Sequence, residues 1–150
     1  MNPDRIFSIA NMVTMLSWIL LIVAGRKRWV TNAVTGFAVP LMLAVLYTAL
    51  IAQHWSDPGG GGFGSLTGVS LLFSNRWKLL AGWVHYLAFD LFTGTWEVRD
   101  AEEKGVPHLF VIPSLALTFF FGPMGLLLYF LTRFAVTRSA GLQPGRAAQL

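Results

Sequence analysis

The sequence predicts an all-α polytopic membrane protein, four transmembrane helices arranged as two antiparallel hairpins. Two observations carry this. Of 150 residues, 55% are hydrophobic and only 12% charged, half the share of about 25% usual in soluble domains. Four continuous apolar stretches approach or exceed the roughly 20 residues that a helix needs to cross a hydrocarbon core about 30 Å thick. Lipid offers backbone groups no hydrogen bonds, so a spanning segment is a helix or part of a closed barrel. Unbroken apolar runs, without the alternation of a barrel strand, leave the helix.

The first stretch, Ile6–Ala24, runs directly into Arg26, Lys27 and Arg28. A signal peptide has a basic region, a short apolar core and a small-residue cleavage site; this stretch runs straight into a basic cluster instead, so it reads as a retained helix. Only five residues precede Ile6. This favours a bacterial-type chain delivered without a transit peptide, a multi-pass protein of the cell membrane, the bacterial inner membrane. The second stretch, Ala33–Gln53, follows a short basic loop and pairs with the first as a hairpin. A longer connection carries Gly59 to Gly62 and a mildly amphipathic segment, Leu66 to Phe73, suited to the membrane interface. The third stretch, Leu79–Trp96, leads through a tight acidic loop into the fourth, Val106–Thr132, with Pro107 fitting a helix's first turn. Pro113 and the pair Gly122 and Pro123 predict a kink in the fourth helix. Residues 1–138 thus form a single four-helix transmembrane domain, and residues 139–150 a flexible C-terminal tail. An even number of crossings puts both termini on one side. Lys and Arg divide six against five between the two sides, so the positive-inside rule assigns no orientation.

Several function classes are excluded or disfavoured. The chain has no cysteine, which removes disulfides, thiolate metal sites and cysteine nucleophiles. Its net charge of +4 is spread over scattered residues with no contiguous basic face, so no nucleic-acid partner is expected; anionic lipid headgroups suit it better. Gly59-Gly60-Gly61-Gly62-Phe63-Gly64 satisfies a dinucleotide-binding spacing, but neither a strand nor a βαβ unit surrounds it. A bis-histidine haem requires two imidazoles at one depth, and His85 lies some 18 Å from the level at which His108 begins the fourth helix. No metal or cofactor site emerges.

Chemistry concentrates on the third helix. At about 100° per residue, Tyr86, Asp90, Thr93 and Glu97 fall within an arc of about 60°, with His85 and Phe89 on the adjoining face. An ionisable side chain near mid-membrane costs about 2.5 to 3.5 kcal/mol even on the gentler scales, so it normally faces the bundle interior and serves a purpose. Asp90 is the first candidate. Its structural alternative is a packing carboxyl bonded to Tyr86, Asn11 or a backbone carbonyl. Asp100 and His108 flank the acidic loop and can fold back toward Glu97, although His108 also suits the role of an interface cap.

These residues bring a family into view. Gly82-Trp-Val-His-Tyr-Leu-Ala-Phe-Asp-Leu-Phe92, then Asp100-Ala101, Gly105-Val-Pro-His108 and Phe121-Gly-Pro-Met-Gly-Leu-Leu-Leu-Tyr-Phe130 resemble the abscisic-acid-deficient-four-like family, named after the plant protein required for making neoxanthin. The resemblance runs from Ile6 to Arg133. It implies action on a xanthophyll: opening a 5,6-epoxide of violaxanthin and losing a neighbouring proton to give an allene. Such a reaction needs an acid for the ring oxygen and a base for the carbon-bound proton, with no redox cofactor. Asp90 suits the acid, and His85 or Glu97 the base. Tyr86, Phe89, Thr93, Asp100 and His108 are the expected substrate contacts, and Phe89, Phe92, Phe119 and Phe120 the walls of a groove between the third and fourth helices. The substrate of a bacterial-type member would be another carotenoid or apolar small molecule. The alternative is a non-enzymatic carotenoid- or haem-holding subunit or an assembly factor; a homo-oligomer is compatible with either.

Overall fold

The computed structural model describes residues 2–138; the expected tail, 139–150, lies outside them. The described residues are helical throughout apart from short connections: α1 (Pro3–Ala24), α2 (Val30–His54), α3 (Leu66–Ser74), α4 (Arg76–Lys104), α5 (His108–Phe121) and α6 (Pro123–Thr137). Local chemistry sets the boundaries. Asn2 caps α1 by accepting from the Asp4 amide at 3.0 Å. Asn75 separates α3 from α4 by accepting from the Trp77 and Lys78 amides, the usual work of an N-cap. Gly105, with φ of +72°, closes α4 in the left-handed conformation that glycine adopts without penalty.

The first nine residues of α2, Val30–Ala38, are wound as a π-helix. Its wider turn lets Thr35 donate to the Val30 carbonyl five residues back, and brings Gly36 against Thr95 of α4.

Helix α4 is the axis, touching every other helix. Asp4 pairs with Arg76, Trp83 Nε1 donates to Asn11, and the Trp18 ring lies on Gly94, so α1 runs parallel to α4. Contacts of Gly36 with Thr95, Tyr47 with His85 and His54 with Trp77 make α2 antiparallel to both. One core, with Ala10, Leu43 and Val84, fills the N-terminal half of α4; the other, with Leu21, Leu91, Leu115 and Tyr129, fills the C-terminal half.

The fourth apolar stretch departs from expectation. Instead of one kinked helix over Val106–Thr132, it forms two helices folded back at Gly122, whose φ of +47° and ψ of −95° reverse the chain. Any Cβ at Gly125 would collide with Thr118 and with the Ser114 carbonyl, residues that a straight helix would hold about 10 Å or more away. The absence of a side chain there is what lets α6 lie against α5. The hairpin tip reaches Asp90, which stands midway along α4, fourteen residues from Arg76 and fourteen from Lys104. As a result, Asn2 and Arg138 lie at opposite ends of the bundle, not at one end.

Helices α1 and α2, of 22 and 25 residues, are long and apolar enough to cross a membrane. The shorter α5 and α6 have 14 and 15 residues. Beside the two apolar cores, part of the distribution is inside out: Met12, Leu16, Ile19, Val45, Phe92, Leu127 and Leu131 are exposed, whereas Thr14, Thr95, Glu97, Asp100, Ser114, Thr118 and Arg133 are buried.

Candidate functional site

Along the seam where α4 meets the α5–α6 hairpin, polar groups converge in the bundle interior. At the hairpin tip, the Asp90 carboxyl lies against Gly122: a Cβ added there would stand 2.9 Å from Oδ1. Its Oδ2 is buried without a hydrogen-bond partner among the described residues. One turn earlier on α4, the Tyr86 hydroxyl donates to the Phe119 carbonyl at 3.0 Å, fastening the end of α5. Two turns after Asp90, Glu97 is fully buried; its Oε1 accepts from the Thr118 hydroxyl at 2.8 Å, and its Oε2 has no partner. Ser114, one turn before Thr118 on α5, has a buried hydroxyl that is likewise unpaired. Leaving such groups unsatisfied costs about 1 to 3 kcal/mol each. Three such groups, without a partner among the described residues, lie along one short seam, and each calls for an explanation other than ordinary packing.

A second cluster lies toward the C-terminal end of α4. Asp100 Oδ2 accepts from the Tyr129 hydroxyl at 2.6 Å and from Arg133 Nη1 at 2.9 Å, with all three side chains buried. This cluster ties the far arm of the hairpin to α4. Sequence reasoning counted Arg133 only as one of the scattered basic residues. A signal was present: Tyr129 and Arg133 share one face of an otherwise apolar helix, a spacing of four residues.

Of the residues expected in the site, Tyr86, Asp90 and Glu97 face the hairpin together, and Thr93 is half-buried between them. Asp100 belongs to the ion-pair cluster. His85 does not join them. It is exposed beside Tyr47 of α2 and Phe89, at ring separations of 5.7 and 4.6 Å, because five residues of helix turn it about 140° from Asp90. The expected groove between the third and fourth helices also fails to gather its aromatic walls. Phe89, Phe92 and Phe120 point outward, and Phe119 turns its ring onto Trp18. His108 caps α1: its Nε2 donates to the Ile22 carbonyl at 2.9 Å, one of the carbonyls left unpaired at a helix end. His54 stacks on Trp77 and bonds Asp57. The three imidazoles thus lie in three separate surroundings.

The fold and this seam define a class: an all-helical protein with apolar outer faces and two carboxyls held in its interior. The chain belongs to the ABA DEFICIENT 4-like family, whose model matches residues 5–129. The match takes in Tyr86, Asp90, Glu97, Asp100 and Tyr129, and ends four residues before Arg133. No curated protein and no solved structure matches the chain.

Proposed function

We propose that this protein is an integral membrane enzyme that opens the epoxide of a xanthophyll, or of a related apolar carotenoid, by acid–base catalysis and isomerises it. The observation that carries the reading is the seam pair: Asp90 and Glu97 share one face of α4, and each keeps a buried oxygen without a partner. Family membership supports the substrate class. The inside-out distribution of side chains and the two long apolar helices support the membrane.

In this reading, Asp90 gives its proton to the ring oxygen as the C–O bond breaks. Glu97 takes a proton from the adjacent polyene carbon, and the C–H electron pair becomes the new double bond of the allene. The product has the atoms of the substrate, and no electrons leave. Of the two candidate bases, Glu97 is preferred to His85 because it shares the face of Asp90. In the bilayer, α1, α2 and α4 cross, α3 lies at one interface, and the α5–α6 hairpin enters from the other side and returns to it.

The test is Asp90→Asn, expressed in a carotenoid-producing bacterium with pigment chromatography. Asn keeps the shape of the side chain but does not exchange protons as a carboxyl does. General acid catalysis contributes about 100- to 10,000-fold, so conversion should vanish from the pigment profile while inserted protein remains. Near-normal conversion by Asp90→Asn would refute the acid role. Pigment retained by the wild type with no conversion would point to a carotenoid-holding subunit instead.

A further inference from the structure

A groove of about 280 Å³ opens on the outer face of the bundle between α1, α4 and the end of α5. Its apolar walls are Met12, Met15, Leu87 and Phe119; Ser8 and Asn11 also line it, each already hydrogen-bonded within the bundle, and Thr14 completes the lining. Thr14 differs from most hydroxyls of the helices and shares its unpaired state only with Ser114 of the seam among the buried ones described. Ser8, Ser17, Thr48, Thr95 and Thr137 each donate to the carbonyl four residues back, which satisfies a helical hydroxyl at no cost in space. Thr14 is 1% exposed and its Oγ1 has no partner among the described residues.

Depth links the groove to the seam. Leu87, which shares the groove with Thr14, is three residues before Asp90 on α4, and the groove's Phe119 carries the carbonyl that binds Tyr86. A ligand anchored at Thr14 therefore sits within about one helical turn of the depth of Asp90. The volume is just below that of a pocket for a whole drug-sized molecule, and it suits one ring end of a longer chain.

We infer that this groove is a binding subsite for the hydroxylated ring end of a long isoprenoid taken up sideways from the bilayer, with Thr14 as the hydrogen-bonding partner of the ring hydroxyl. The apolar walls take the ring, and the buried hydroxyl distinguishes an oxygenated ring from a hydrocarbon one. The inference rests on the carotenoid reading proposed above and assigns that reading its recognition element.

Full-length protein in lipid nanodiscs would be loaded with zeaxanthin, which carries ring hydroxyls, or with β-carotene, which lacks them, and the retained pigment measured. Wild type should retain zeaxanthin about 2- to 10-fold better, the ratio that one hydrogen bond supplies. Thr14→Val, which replaces the unpaired hydroxyl by a methyl of similar shape, should abolish the preference and leave β-carotene retention unchanged. Thr14→Ser should keep it. Equal retention of the two pigments by wild type, or an undiminished preference in Thr14→Val, overturns the subsite. Retention of neither pigment by wild type overturns the carotenoid reading on which it rests.

Discussion

At the scale of single residues, the two buried carboxyl sites of α4 make different demands. Asp100 is held by Tyr129 and Arg133, so removing its cation leaves a charge buried and uncompensated. Arg133→Met should destabilise the protein by about 3 to 5 kcal/mol, read from thermal unfolding of purified protein. The double variant Arg133→Met with Asp100→Leu should recover much of that loss, since an apolar replacement of a buried pair is often neutral. Glu97, with one oxygen unpaired, should behave differently. Glu97→Gln is expected to lower carotenoid conversion about 100- to 10,000-fold at normal stability if Glu97 is the base, whereas His85→Gln should leave conversion unchanged. Asp90 and Glu97 were legible in the sequence because a carboxyl in an apolar helix stands out by its cost. The pairing of Asp100 with Arg133 was not, because the partners are 33 residues apart and meet only once the chain has folded back.

Among the elements, α1, α2 and the start of α4 were readable from apolar length, with ends shifted by at most three residues. The end of α4 was not, since the acidic stretch after Trp96, expected as a loop, continues the helix eight residues further to Lys104. The α5–α6 hairpin was not. Gly122-Pro123 within an apolar run reads equally as a kink or a reversal, and two features decide between them: the backbone angles at Gly122 and the bare surface of Gly125. Their consequence reaches the site. Gly122→Ala would force a residue with a side chain into φ of +47° and press its Cβ to 2.9 Å from Asp90 Oδ1. With ψ of −95° this backbone lies outside even the left-handed helical well, and holding a residue with a side chain in so sparsely populated a region costs on the order of 1 to 3 kcal/mol. The expected result is a modest drop in melting temperature with a far larger loss of conversion, because the carboxyl must move from its place. A loss of stability without loss of conversion would separate the hairpin tip from the chemistry.

The whole molecule turns on the same reversal. Four apolar runs imply four crossings and termini on one side, but α5 and α6 are about 21 and 22 Å long against a hydrocarbon core of about 30 Å. Neither is long enough to cross by itself. Stretched into one straight helix from His108, the segment would hold Tyr129 and Arg133 more than 30 Å from its start, whereas Asp100 lies near the base of that segment and binds both. The folded hairpin satisfies that buried ion pair, and it covers its own turn, since the Gly122 amide donates to the Thr118 carbonyl at 2.9 Å beneath Asp90. Irregular backbone at membrane depth is tolerated only where protein encloses it. On the membrane arrangement proposed above, three crossings and a returning hairpin put the two termini on opposite sides. With a tag at each end and protease added to sealed vesicles, one tag should be cleaved and the other protected. Equal access at both ends would mean four crossings, and would require the contacts of Asp100 with Tyr129 and Arg133 to break in the membrane.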